Sequence, residues 1–381
     1  MDDLTEAGKL YSWLVEPLDD AVRSVLQRLI RLEDVAHVAV MPDVHLAGEV
    51  CIGTVVGSRE ILYPHAVGGD IGCGMTAVST SLEADRLRDA KVARRLFDGL
   101  KMLVPVLKHG TQTAVEKLPE SLMDLSLSTP SLERQKHRDA RLQLGTLGRG
   151  NHFLEFQEDD RGRLWVMVHT GSRSMGQLIT RYHLKHATEC SMGLKGIQAE
   201  TESGRAYLND VEWARRYAAE NRAAILEAVA VLLDSQLEGT IIGDTLLTCD
   251  HNHVQSEVHQ NTRLWIHRKG AVPACSRQPG IIPGSMGSAS FHTLGKGCAD
   301  SLCSSSHGAG RLLSRAQASR QISLRALYGQ MKGVIFDDRL AVKLREEAPA
   351  AYRDIGKVMR AQRELTRVVR RLQPVLSYKG V

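Results

Sequence analysis

Five residues of this chain have side chains that together could hold a divalent cation: Asp70, Cys73, His152, His169 and His251. Asp70 and Cys73 stand three positions apart among glycines, and glycine lets one tight bend present a carboxylate and a thiolate to the same ion. A mixed set of sulfur, nitrogen and oxygen ligands does not identify which of manganese, iron, cobalt and zinc is bound. Taken singly, each residue has an ordinary structural explanation, since a buried cysteine is also a small hydrophobic side chain. Because the five are dispersed, unlike the paired ligands of a zinc finger, they could meet only in a folded core.

A second candidate for chemistry is His307, which lies between three serines and the segment GAGR at 308–311. An amphipathic helix is predicted to begin there, with Leu312 and Leu313 on its apolar face. A neutral imidazole beside Arg311 and the backbone N–H groups of a helix start could attack a phosphate and stabilise the charge that develops. The segment therefore predicts a nucleophile at His307, although a helix cap with a chance histidine would give the same motif.

Composition limits the class of protein. The chain has 381 residues, 43% of them hydrophobic, and a net charge of +5 at pH 7. It is long enough for one large domain or two, and its charge permits a nucleic-acid partner without requiring one. Seven cysteines without paired spacing, together with the acidic start at Asp2 and Asp3, predict a reducing, cytoplasmic location. No segment is long and uncharged enough to span a bilayer, so no membrane partner is expected.

Helical and extended patterns alternate along the chain without a clear linker. The predicted helices cover 82–100, 133–144 and 211–237. The predicted strands cover 164–169, 246–249 and 264–267, and the last two are expected to be buried. We therefore predict one α+β domain over residues 1–381. In this domain helices flank central β-sheets, and loops between the strands carry the polar residues into a metal-lined cleft.

The last part of the chain is predicted to be mostly helical up to Pro374. On that helix five arginines would share one face, opposite leucine and valine side chains: Arg360, Arg363, Arg367, Arg370 and Arg371. A stripe of this kind could follow an RNA phosphate backbone. A solvated helix face is the more common explanation of such a pattern.

Ten short segments, in order along the chain, resemble the RtcB family of RNA-splicing ligases. The segments are MPDVH (41–45), GGDIGCG (68–74), LGRGNHFLE (147–155), VHTGSR (168–173), HN (251–252), RKGA (268–271), IPGSMG (282–287), SHGAGR (306–311), EAPAAY (347–352) and YKG (378–380). Each segment alone is a modest signal, but ten in the same order are specific. The resemblance extends over most of the chain and implies one ligase domain of mixed helix and sheet.

The resemblance implies an enzyme that joins an RNA 3′-phosphate end, or a 2′,3′-cyclic phosphate end that is first opened, to a 5′-hydroxyl end in RNA repair or tRNA splicing. GTP and two manganese ions are the implied cofactors. His307 would become guanylylated and Cys73 would bridge the two ions. The remaining metal ligands would be Asp70, His152, His169 and His251. The residues implied near the nucleotide and its phosphates are Asp43, Asn151, Glu155, Ser285, Arg311, Tyr352 and Lys379, of which Glu155 and Lys379 would form the guanine pocket.

One departure from the family pattern leaves the substrate open. After residue 45 many members continue with proline, glycine and aromatic residues, whereas this chain continues LAGEVC at 46–51. A shorter paralogue that repairs broken RNA is therefore an alternative to an enzyme of tRNA splicing, and an archease-like activator is a further partner to consider. Two rival functions use the same residues: a metal-dependent phosphohydrolase that acts on RNA ends without ligation, and a catalytically inactive RNA-binding module.

Overall fold

The computed structural model describes residues 8–191 and 193–380. Its strands are β1 (Leu10–Ser12), β2 (Val35–His45), β3 (Ile52–Ser58), β4 (Ile61–Leu62), β5 (Gly74–Glu83), β6 (Phe153–Glu158), β7 (Arg163–Thr170), β8 (Thr188–Ser191), β9 (Leu194–Gln198), β10 (Ile241–Asp250), β11 (Asn252–His259), β12 (Thr262–Lys269), β13 (Ala271–Pro273), β14 (Pro279–Ile282), β15 (Ser290–Gly295), β16 (Ser304–Ser306) and β17 (Thr366–Lys379). Its α-helices are α1 (Asp20–Ile30), α2 (Ala90–Leu103), α3 (Glu120–Met123), α4 (Pro130–Gln135), α5 (Arg141–Gln143), α6 (Arg173–His186), α7 (Glu202–Leu237), α8 (Arg315–Gln321), α9 (Leu324–Gln330), α10 (Ala341–Leu344) and α11 (Ile355–Ala361). A π-helical turn, Lys136–Ala140, joins α4 to α5.

Two sheets form the centre of the fold. The larger has seven strands in the order β10-β5-β7-β6-β17-β15-β14, and the smaller has five in the order β1-β2-β3-β12-β11. Neighbouring strands of the larger sheet are antiparallel throughout. Its strands β5, β6 and β7 are buried along most of their length; β7 contains a continuous apolar run at 164–168, whereas β5 and β6 also bury polar side chains. The predicted α+β fold, with helices flanking central sheets, is confirmed; the extent of one domain over residues 1–381 stays a prediction.

The longest helix, α7, connects the core to the loops that carry candidate ligands. It begins at Glu202 rather than at residue 211, because the side chain of Thr201 accepts a hydrogen bond from the Gly204 N–H and caps the helix there. Arg222, fully buried on this helix, donates to the carbonyl oxygens of Gly72 at 3.0 Å and Thr170 at 3.1 Å. The helix therefore fixes both the turn at Asp70 and Cys73 and the end of β7.

The predicted C-terminal helix and its arginine stripe are wrong. Helix α11 ends at Ala361, and Thr366–Lys379 is a strand between β6 and β15, so the five arginines share no helix face. The apolar spacing of this segment fits either period, and pairing with two neighbouring strands decides in favour of the strand. Pro374 lies beside the register irregularity between β17 and β6, which is where a central strand tolerates a residue without an N–H.

Two smaller predictions are also corrected. The segment 82–100 begins as the end of β5 and a 3-10 turn, and α2 starts only at Ala90, after Asp89 caps it. The strand predicted at 246–249 exists, but β10 is an edge strand and Leu246 is 52% exposed. Among the described residues, every helix is too short or too polar to cross a membrane.

Candidate active site

A glycine turn positions Asp70 and Cys73. Gly72 has φ +70°, and a Cβ there would lie 2.8 Å from the Cα atom of Arg215 on α7, so this close packing requires glycine. The Cys73 N–H donates to the Asp70 carbonyl at 3.1 Å, which closes the turn. Both side chains consequently face the same side of the loop at the start of β5.

The three candidate histidine ligands lie at the ends of strands that meet at this turn. His152 precedes β6, His169 is near the end of β7, and His251 lies between β10 and β11. His169 pairs with Phe153 on one side and with Met75 on the other, so the antiparallel register brings these strand ends together. Residues far apart in the sequence thus become neighbours at the ends of adjacent strands of the larger sheet.

The five side chains form one continuous cluster. The Cys73 Sγ lies 3.4 Å from Nε2 of His152 and 3.4 Å from Nε2 of His169. His169 Nε2 lies 3.4 Å from His251 Nε2, and His152 Nε2 lies 2.8 Å from Asp70 Oδ2. Two groups of three potential ligands result, Asp70-Cys73-His152 and Cys73-His169-His251, and they share the sulfur. The geometry offers two adjacent cation positions with one thiol between them.

Electrostatics favours neutral imidazoles in this cluster. Burial, reinforced by neighbouring histidines, holds the pKa of His169 and of His251 well below the ordinary value, so both rings have a free lone pair at neutral pH. Burial alone would raise the pKa of Asp70, but His152 and Arg173 lower it below its usual range. Burial and the nearby Asp70 raise the pKa of the Cys73 thiol well above normal, a direction that a bound cation reverses.

The donor set fits divalent cations. Asp70 Oδ1 is buried and accepts no hydrogen bond from any described residue, which leaves one carboxylate oxygen without a partner. The imidazole nitrogens and the sulfur converge at 3.4 Å in a buried cluster, and this mixed donor set suits a borderline divalent cation. The Arg173 guanidinium lies 3.2 Å from the other nitrogen of His152, Nδ1, on the side of that ring away from the cluster.

His307 lies next to this cluster. Its ring centroid is 4.7 Å from that of His251, and its Nδ1 lies 2.7 Å from Oδ2 of the buried Asp43 on β2. The same carboxylate oxygen accepts hydrogen bonds from the backbone N–H groups of His307 and Gly308, each at 3.2 Å. With the proton on Nδ1, the Nε2 of His307 has the lone pair that a nucleophile needs.

The helix expected directly after His307 is absent from this described segment. His307 follows the short strand β16, and α8 begins only at Arg315. Helix-start N–H groups therefore do not surround the imidazole, and Asp43 orients it instead. Gln362 fixes the strand before it, since its amide binds both the N–H and the hydroxyl of Ser306, at 2.9 and 2.7 Å.

A cavity of about 430 Å³ opens in front of His307. Its walls include His169 and six of the seven residues implied near the nucleotide and its phosphates: Asn151, Glu155, Ser285, Arg311, Tyr352 and Lys379. Glu155 is buried and accepts hydrogen bonds from Gln157 at 2.9 Å and Ser377 at 3.1 Å. Burial raises the pKa of Glu155 to about 7, against the lowering effect of Lys379.

A second cavity of about 940 Å³ adjoins the first. Asn151 and Arg315 line both cavities, and Asp70 and His152 reach the second one from the metal cluster. Its basic lining residues are Lys108, Arg149, Arg173, Arg315 and Lys343. An anionic polymer end could therefore approach the cluster from this side.

Sequence analysis gave no role to the buried carboxylate of Glu347. It accepts from Lys379 at 2.8 Å, from Arg311 at 3.1 Å and from Arg315 at 3.3 Å, and also from the hydroxyl of Tyr352. Glu347 belongs to the EAPAAY segment, so its position was visible in the sequence. Its partners were not, because they are brought together only by the fold.

A cluster of potential metal ligands from distant segments, beside a cavity, is typical of an enzyme site rather than of a structural zinc module. Comparison with known proteins gives the family. The family model described as "tRNA-splicing ligase RtcB" matches residues 26–380, and the chain belongs to the RtcB family of RNA-splicing ligases.

Named relatives agree with this assignment. The RNA-splicing ligase RtcB of Escherichia coli strain K12 is 36% identical over 375 aligned residues, which cover 90% of each chain. The RNA-splicing ligase RtcB of Mycobacterium tuberculosis is 31% identical over 89% of this chain and 96% of its own, and the tRNA-splicing ligase RtcB of Thermococcus kodakarensis is 28% identical over 98% and 94%. The latter two alignments have 419 and 467 positions, more than the 381 residues here, so those relatives contain insertions that this chain lacks.

Proposed function

We propose that this protein is a GTP- and manganese-dependent ligase that joins RNA 3′-phosphate ends to 5′-hydroxyl ends through a guanylylated His307. A 2′,3′-cyclic phosphate end would first be hydrolysed to the 3′-phosphate. The observation that carries the proposal is the position of His307, 4.7 Å ring to ring from His251 of the two-site ligand cluster and at the wall of the cavity. Membership in a family of RNA-splicing ligases supports RNA as the substrate.

His307 is arranged for nucleophilic attack. Asp43 holds the Nδ1 proton, so that Nε2 attacks the α-phosphorus of GTP, forms a phosphoramidate and releases pyrophosphate. An oxygen of the RNA 3′-phosphate then takes the guanylyl group and frees the imidazole, which gives an RNA-ppG end. The 5′-hydroxyl finally attacks the activated phosphate, which expels GMP and forms the phosphodiester. Asp43 stabilises the imidazolium character that develops in the first step.

Asp70, Cys73, His152, His169 and His251 would hold two manganese ions. When bound, such ions withdraw charge from phosphate oxygens and stabilise a leaving pyrophosphate. The neutral state of His169 and His251 and the ionised state of Asp70 leave these side chains ready to bind a cation. Asn151 lines both cavities and would orient phosphate oxygens.

The position of Glu155 in the cavity wall supports guanine, and not adenine, as the base. An ionised Glu155 can accept both the N1–H and the N2 amine of guanine, whereas adenine lacks that pair of donors and would leave a buried acceptor unpaired. Lys379 lies at the same wall, and Ser285, Arg311 and Tyr352 complete the lining. The second, basic cavity is the proposed approach of the RNA end.

The test is incubation with α-labelled GTP and manganese, followed by an RNA-joining assay with 3′-phosphate and 3′-hydroxyl ends. We expect an acid-labile protein label and joining of the 3′-phosphate end alone. His307→Ala should form no label but should still seal a pre-activated RNA-ppG end.

The same assays separate the rival functions. Removal of the terminal phosphate without any label would indicate a phosphohydrolase. RNA binding that is unchanged by metal removal, without sealing, would indicate an inactive binding module. Repeating the assay with broken tRNA halves, with other cleaved RNAs and with an added archease-like protein tests the repair role and the proposed activator, and cell fractionation tests the cytoplasmic location.

A further inference from the structure

The carboxylate of Glu347 is the centre of a buried ion network beside the nucleotide cavity. One oxygen accepts from Lys379 Nζ at 2.8 Å and from the Tyr352 hydroxyl, and the other accepts from Arg311 at 3.1 Å and Arg315 at 3.3 Å. The four donors come from different parts of the chain: the end of β17, the turn after Ala351, the segment after His307, and the start of α8. Glu347 thus accepts a hydrogen bond from each of these four groups.

Burial makes this network a strong constraint. Glu347 is 1% exposed, and the nearby Lys379 and Arg311 hold the pKa of its carboxyl below the usual value even though burial alone would raise it. Charge-assisted hydrogen bonds in a dry interior are short and directional, so the ionised carboxylate fixes where its donors lie. Arg311 is further held by the carbonyls of Glu346 at 2.6 Å and Leu313 at 3.0 Å and by the ring of Tyr352.

Glu347 itself stands behind the cavity wall. Arg311, Arg315, Tyr352 and Lys379 line the nucleotide cavity, whereas Glu347 reaches only the adjoining basic cavity. Any effect of Glu347 on a nucleotide must therefore pass through the groups that it binds. In this arrangement Glu347 can align the residues that line the nucleotide cavity, but it does not itself contact a ligand there.

We propose that Glu347 is a positioning residue for the nucleotide: its carboxylate holds Arg311, Tyr352 and Lys379 in the arrangement that receives GTP. The inference rests on the proposed function for the identity of the nucleotide. It adds a residue to the site, because Glu347 belongs neither to the ligand cluster nor to the lining of the nucleotide cavity.

Equilibrium binding of a GTP analogue with a methylene bridge between the α- and β-phosphates tests the proposal, since this analogue binds but cannot transfer its guanylyl group. Glu347→Gln keeps the shape of the side chain and removes its charge, which leaves buried donors poorly paired. We expect the dissociation constant to rise about tenfold to hundredfold. Manganese stoichiometry should stay at the parent value, which shows that the variant is folded.

Three further variants distinguish positioning from a general structural role. Glu347→Asp retains the charge on a shorter side chain and should recover part of the affinity. Glu116→Gln changes an exposed carboxylate that lines neither cavity, and its affinity should stay within about twofold of the parent. In a Lys379→Met background, Glu347→Gln should weaken binding of the GTP analogue by a smaller factor than it does in the parent, because the effects of residues that act as a unit are not additive.

The outcomes are distinct. Parent-like analogue affinity in Glu347→Gln overturns the inference, and so does a loss of binding-competent protein at unchanged affinity. Weaker binding in Glu347→Gln together with a parent that forms no His307 adduct supports the positioning role and overturns only the proposed ligation chemistry. A parent that binds no GTP analogue overturns both.

Discussion

The ligand cluster and the nucleotide cavity lie side by side but are built in different ways. The cluster is fixed by backbone: its side chains stand at the ends of paired strands, and Arg222 and Asn252 hold the turn of Asp70 through its carbonyl groups. The cavity wall is fixed by side-chain charges, since its basic residues come from separate C-terminal segments and meet at Glu347. Changes in the cluster should therefore abolish metal binding without loosening the wall, and changes in the wall should do the reverse.

The largest effect is expected for Cys73→Ala. Both three-ligand groups contain this sulfur, so its loss should remove metal binding and any guanylylated protein together. Metal analysis of the purified protein and labelling with α-labelled GTP measure the two effects. Cys190→Ala, which changes an exposed thiol, should leave both unchanged. Guanylylation that persists in Cys73→Ala would refute the shared role of the sulfur.

Asp43→Asn should have the next largest effect, on the first chemical step alone. An amide in place of the carboxylate can no longer hold the Nδ1 proton of His307, so the rate of adduct formation should fall by about hundredfold to ten-thousandfold. Metal content and affinity for the GTP analogue should remain near the parent values. The exposed Asp244→Asn is the control, and an equally slow adduct in that variant would show that the defect is not specific to the His307 contact.

Much of the cluster could be predicted from the sequence, because each ligand lies in a short segment that resembles the RtcB family. The C-terminal region could not, and the reason is physical. Thr366–Lys379 has apolar spacing that suits a helix, yet the segment completes the larger sheet between β6 and β15, where pairing outweighs local preference. Without that helix the arginines form no stripe. Arg370 instead stacks on Trp165, with its Cζ 4.3 Å from the ring centroid.

His307 and Glu347 show the same limit at single residues. The sequence indicates a nucleophile at His307 but assigns its activation to a helix start, whereas the fold supplies Asp43 from a strand 264 residues away. Glu347 lies in the EAPAAY segment that resembles the family, but its contacts become visible only with its four donors in place. Contacts between distant segments are what a single sequence leaves undetermined.

A pair of variants of intermediate effect tests the separation of the two regions directly. Lys379→Met should weaken GTP binding about tenfold to hundredfold and leave manganese binding intact, because Lys379 contributes a buried charge to the wall alone. Asp70→Ala should weaken manganese binding more than it weakens GTP recognition. Each variant is titrated with manganese and with the GTP analogue. Loss of both ligands in both variants would mean that the cluster and the wall are one cooperative unit.

The smallest expected effect is on pH dependence, and it comes from Glu155. Burial raises the pKa of this carboxyl to about 7, and guanine needs the ionised form, so GTP affinity should be full above that pH and decline as the pH falls through it. One pH unit below the pKa about a tenth of the carboxylate remains ionised, which predicts about tenfold weaker binding. Glu155→Gln should bind more weakly at pH 8 and lose most of the slope between pH 6 and pH 8, whereas Glu158→Gln on the same strand should keep it. Titration of the GTP analogue at saturating manganese measures this, and a slope that survives in Glu155→Gln would assign the pH dependence to the ligand cluster rather than to the wall.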